Sequence, residues 1–82
     1  PVILGRKPSN DNYAFIVYGK KFKNKKNYFN LSKKADLTEA AANLYKTMRK
    51  IKKLGFKKIF VTKIPNIGAG IAINDRLTRA SR

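Results

Sequence analysis

Two clusters in this chain combine residue types and spacing that could do chemistry, and both lie towards its C-terminal end. Gly68-Ala69-Gly70 follows a strand-like stretch and opens a helix-like one. In such a place glycines let the backbone approach a phosphate, and the free N–H groups of a helix start attract anions. A dinucleotide fingerprint needs a third glycine where Ile73 stands, and Lys63 lies upstream of the turn, where the phosphate-loop lysine pattern fails. The same two glycines also suit a tight turn at Gly68 and close helix packing at Gly70. Asn74-Asp75-Arg76 is the densest polar cluster of an otherwise apolar segment. It reads either as a polar contact with another domain or as helix capping with an Asp75–Arg79 pair at i,i+4 spacing, worth only a few tenths of a kcal/mol.

The rest of the inventory excludes most catalysis. The 82 residues contain no histidine and no cysteine, so no side chain ordinarily titrates near neutrality and an ordinary zinc site cannot be built. The four acids, Asp11, Asp36, Glu39 and Asp75, are scattered along the chain. Carboxylate pairs, a nucleophilic triad and a carboxylate cage for magnesium all need more than that. The expectation is a domain with no catalytic residue and no metal ligand.

Charge supplies the other candidate chemistry. Twenty Lys and Arg against four Asp and Glu give a formal charge of +16, a field that attracts polyanions, nucleic acid above all. Lysine far outnumbers arginine and is spread over every segment, with abundant asparagine and isoleucine, as an AT-rich genome produces without selection for binding. The candidate RNA contacts are Lys46, Arg49, Lys50 and Lys53 on a helix, with Lys57 and Lys58 just after it. Tyr28 and Phe29 beside the lysine loop at 20–26 are candidate stacking platforms.

These groups need elements to hold them. Val2-Ile3-Leu4 predicts a short strand, and Ala14-Phe15-Ile16-Val17-Tyr18 one buried on both faces and ended by Gly19. Asn27 to Leu31 predicts a third, and Phe56 to Thr62 a fourth. Between them, Asp36 with Glu39 three residues later has a capping-box pattern. Leu37, Ala41, Leu44, Met48 and Ile51 then form one apolar stripe, and Gly55 suits a C-terminal cap. Strand, helix, strand implies parallel pairing. Pro65 breaks the chain, and Ile73 with Leu77 predicts a terminal helix. The fold class is α/β, a small sandwich of three or four short, mostly parallel strands with two helices. No run approaches the roughly 20 apolar residues of a membrane span. With no cysteine to oxidise, a cytoplasmic location is expected. The start at Pro1, directly in a strand-like stretch, predicts a fragment in which residues 1–82 are one domain.

Two segments carry a family resemblance. Asn30-Leu31-Ser32 followed by Asp36-Leu37-Thr38-Glu39-Ala40-Ala41-Ala42-Asn43-Leu44-Tyr45 resembles the C-terminal domain of the long-form, two-domain threonylcarbamoyl-AMP synthases. Ile64-Pro65, then Gly68 through Leu77, resembles the closing motif of that domain, in the expected order. The resemblance implies a Rossmann-like accessory domain whose catalytic partner, carrying the ATP and threonine sites, lies N-terminal to it. The parent enzyme uses ATP, threonine and bicarbonate, releases pyrophosphate, and serves threonylcarbamoyladenosine modification of tRNA. The implied partner is that catalytic domain, and the contact residues would be Gly68, Gly70, Asn74, Asp75 and Arg76; tRNA is the alternative partner that the basic charge offers. Lys33-Lys34-Ala35 departs from the family, where small residues and proline or glycine are usual, as does Lys52, where an acid is common.

Overall fold

The computed structural model describes residues 2–82; Pro1, expected at the start of the first strand, lies outside the described residues. In chain order come β1 (Val2–Leu4), β2 (Ala14–Val17), β3 (Tyr28–Asn30), α1 (Leu37–Leu54), β4 (Ile59–Val61) and α2 (Ala69–Ala80). The strands form one sheet in the order β1-β4-β2-β3, and every pairing is parallel. This is the α/β class expected from the pattern, in the Rossmann-like form that the resemblance implied. Strands 2 and 4 are central. The continuous apolar run of β2 is buried at all four positions, as a strand with neighbours on both edges and cover on both faces requires.

Alternation along the strands sends their side chains into two separate cores. Ala14, Ile16 and Val61 meet Ala40, Leu44 and Ile51 of α1 and Ile73 and Leu77 of α2. Phe15, Val17 and Phe60 point the other way, onto Ile3, Tyr13, Phe22 and Tyr28, a cluster with no helical member. Both helices therefore lie on one face of the sheet, and loops cover the other. Phe22, from the lysine loop, closes edge-on against Phe15 at 5.8 Å between ring centroids. The apolar stripe of α1, Leu37, Ala41, Leu44, Met48 and Ile51, packs on this core as expected and is widened by Ala40. Ala40 is fully buried while Ala41 is only half-buried.

The start of α1 is built differently from a reciprocal capping box. Asp36 Oδ1 accepts from the N–H groups of Thr38 and Glu39 at 2.9 and 3.2 Å, as a cap should. Glu39 does not reach back to the Asp36 amide. That amide donates to Ser32 Oγ at 3.0 Å, and the Ser32 hydroxyl donates to Glu39 Oε1 at 2.6 Å. The buried Ser32 relays between cap and first turn, which explains why the Asn30-Leu31-Ser32 segment accompanies this helix.

Ala35, at the departure from the family pattern, is the one described non-glycine residue with positive φ, at 59°. Left-handed backbone costs an L residue about 1–2 kcal/mol, partly offset for glycine by its larger unfolded-state entropy of about 0.5–1 kcal/mol. Ala35→Gly should therefore raise the thermal midpoint by a few degrees, and differential scanning calorimetry reads this directly. A lower midpoint would show that residue 35 does not hold this conformation in solution.

Candidate functional site

The glycine turn is a packing device first. Gly68 sits at φ 49° and ψ −132°, a conformation that side chains rarely adopt. At Gly70 a Cβ would lie 1.9 Å from the Pro65 carbonyl oxygen, so the helix start rests directly on the preceding loop's backbone. The amide donors that a phosphate would need are partly committed. Gly70 N–H donates to Ile67 O at 2.8 Å and Ile71 N–H to Gly68 O at 3.2 Å. What the turn does present outward is apolar: Ile67 and Ile71 flank it at 66% and 55% exposure.

The three polar residues that follow have separate surroundings. Asn74 turns inward, donating to Ile64 O at 3.0 Å and Asn66 Oδ1 at 3.2 Å, and so pins the loop that Gly70 rests on. Asp75 pairs with Arg79 at 3.1 Å, both well exposed, which makes the pair worth little. The Arg76 guanidinium lies 5.9 Å from the Tyr45 ring centroid, and Arg49 lies 5.6 Å from the same ring. Tyr45 is 60% exposed despite two cations against it. These three residues line a groove of about 570 Å³ between the helices, with Met48, Lys52 and Phe56. The departure at Lys52 thus falls in this groove and makes it more cationic.

The six candidate RNA contacts divide. Lys46, Arg49, Lys50 and Lys53 gather on the exposed side of α1 around a shallow depression with Leu54. Lys57 lies instead at the groove between the helices. Lys58 reaches the helix-free face of the sheet, where its Nζ is 5.3 Å from the Tyr13 ring. Tyr28 and Phe29 separate for the same reason that adjacent strand residues always do. Tyr28 packs edge-on against Phe15 on the loop-covered face, Phe29 against Phe56 on the helix face.

A further cationic site was invisible in the linear order. The chain leaves all four strands at one edge of the sheet. There a cleft of about 790 Å³ is lined by Arg6 and Lys7 after β1, by Lys20 and Lys21 after β2, and by Lys63 after β4. Tyr18, Gly19 and Phe22 complete its floor and wall. In sequence these cations are three separate short groups among many others. Only the parallel topology brings them together, because parallel strands put all their C-terminal loops on one side.

With the geometry in view, comparison with known proteins gives one positive finding. A family model described as threonylcarbamoyl-AMP synthase, C-terminal domain, matches residues 3–82. No curated protein and no solved structure matches. Among the described residues no helix is long and apolar enough to cross a membrane.

Proposed function

The chain belongs to the threonylcarbamoyl-AMP synthase C-terminal domain family, and we propose that it serves there as a non-catalytic accessory domain. It docks on a separate catalytic domain and gates that domain's active site. Membership assigns it to threonylcarbamoyladenosine modification of tRNA. In this reading ATP, threonine and bicarbonate are bound by the partner domain, and the work is done in the cytoplasm.

The observation that carries the docking reading is the pair Ile67 and Ile71. Two large aliphatic side chains, more than half exposed, bracket a rigid turn held by Gly70, Pro65 and Asn74. Rigid presentation lowers the entropy that ordering an interface would cost, and exposed apolar residues beside polar ones are the usual core and rim of a contact. Asp75 and Arg76 would form the rim. Gly68, Gly70 and Asn74 would act by shaping the turn.

The test uses the chain together with a separately expressed synthase domain of the same family. The chain alone should give no pyrophosphate release from ATP and threonine. With the synthase domain it should bind and alter the rate. Ile67→Asp with Ile71→Asp should weaken binding by roughly tenfold or more, with the amide spectrum of the free domain otherwise retained. Turnover by the chain alone, or undiminished binding by the double variant, would overturn the reading.

A second reading, tRNA binding, has one observation behind it. Lys46, Arg49, Lys50 and Lys53 form an exposed cluster that no described carboxylate pairs with. It predicts an affinity for tRNA that falls steeply with salt as counterions are released, and that drops when Lys46 and Lys50 become glutamate.

A further inference from the structure

We propose that the cleft at the carboxyl ends of the strands is a binding site for a phosphate-bearing nucleotide, either free or as part of an RNA strand. The proposal stands apart from the docking reading, since it uses different residues at another place in the fold.

Three observations carry it. Arg6, Lys7, Lys20, Lys21 and Lys63 line a single concave site of about 790 Å³ without a carboxylate among its walls. Concentrating like charge in one concavity is unfavourable unless something neutralises it, and low-dielectric walls focus the resulting field on an anion. The second observation is that the acids are engaged elsewhere. Asp11 pairs with Lys25, Glu39 with Lys34 and Ser32, Asp75 with Arg79, and Asp36 caps α1. Among the described residues none of the five cleft cations has a carboxylate partner within 4.0 Å. Their counter-ion must come from outside the domain.

The third observation is the apolar part of the lining. Phe15, Tyr18 and Phe22 share the cleft with the cations. An adjoining depression of about 280 Å³ continues past Phe22 to Tyr28, adding Lys23 and Lys25. Inorganic phosphate alone has no use for aromatic walls. A nucleotide does, because its base offers a π-face and its phosphates the charge. Open parallel α/β sheets favour this same edge for ligands. The glycine turn, where the linear sequence suggested a phosphate, has two of its amides committed to Ile67 O and Gly68 O and is flanked by exposed isoleucines.

The experiment is an amide-shift titration of the 82-residue chain at low salt with three probes: pyrophosphate, ATP and a short single-stranded oligoribonucleotide. ATP, the oligoribonucleotide or both should shift the Gly5, Gly19, Lys20 and Lys63 amides and leave Gly68 and Gly70 unmoved. Pyrophosphate should bind the same residues more weakly. The two sources separate by salt dependence, an RNA strand that engages several phosphates having the steeper slope. Lys20→Glu with Lys63→Glu should reduce affinity roughly tenfold or more. The control is Lys33→Glu with Arg82→Glu, an equal change of charge at exposed residues outside the cleft, and it should change affinity much less. The proposal is overturned if no nucleotide probe shifts the cleft amides. It is equally overturned if shifts spread over the whole cationic surface and the control pair weakens binding as much as the cleft pair. Because the wild-type shift map decides on its own, a variant that failed to fold would leave the test intact.

Discussion

Gly70→Ala is expected to cost at least about 1–3 kcal/mol of stability, although it adds a single methyl group. The added carbon would stand 1.9 Å from the Pro65 carbonyl oxygen and 3.4 Å from a Leu37 methyl. The first of these contacts is with backbone, which cannot swing aside as a flexible side chain can. Either α2 moves away from the loop at 64–67 or the loop moves away from α2. Both movements break the Asn74 bonds to Ile64 and Asn66. Displacing α2 would also lift Ile73 and Leu77, each 1% exposed, out of the main core. Overpacking costs about 1–3 kcal/mol and more where nothing can yield. A domain's total stability is only roughly 0.05–0.15 kcal/mol per residue, so this one change consumes a large part of it. Urea unfolding followed by circular dichroism measures the loss. Asp75→Ala is the contrast: removing an exposed pair should stay within about 0.5 kcal/mol of the parent. If Gly70→Ala were as mild as Asp75→Ala, the close approach of helix and loop would not exist in solution. The glycine would then need a functional explanation.

Ile16→Ala should cost about 2–5 kcal/mol, the range for truncating a fully buried aliphatic side chain. Ile16 is at 0% exposure in the central β2, with β4 on one side and β3 on the other. Its side chain points into the helix-covered core. Hydrogen-bonded strands on both sides limit how far the backbone can relax, so the cavity stays open. Leu4→Ala, by contrast, removes a side chain 39% exposed at the sheet edge and should cost much less. Chemical unfolding of both variants separates them. Near-equal losses would contradict the strand order β1-β4-β2-β3.

These expectations show how unevenly the molecule was legible. The apolar run at 14–17, the spaced aliphatics of α1 and the cap at Asp36 are local patterns, and the elements they predict are present. The Asp75–Arg79 pair was legible for the same reason, since i,i+4 residues meet on any helix. The role of Ser32 was not. Its hydroxyl stands four residues before the cap, outside the spacing that defines a capping box. Lys58 lies apart from the α1 cations, against Tyr13 on the helix-free face, whereas Lys57 lines the groove that Arg49 and Lys52 also line.

The sequence by itself determined what this protein lacks and what it resembles. With no histidine, no cysteine and four scattered acids, these 82 residues carry few groups from which an acid–base or metal site could be built, because ionisable groups cannot be supplied by folding. The two family segments carried the kinship, which a family match over residues 3–82 then established. The tertiary structure alone decided where function can reside. Gly70 proved to have no room for a side chain, because the Pro65 carbonyl oxygen, five residues upstream, lies where a Cβ would stand. Arg6, Lys7, Lys20, Lys21 and Lys63 became one cleft only because four parallel strands deliver their following loops to the same edge. Charge is a property of composition, whereas a binding site is a property of convergence, and convergence depends on contacts between residues far apart in the chain.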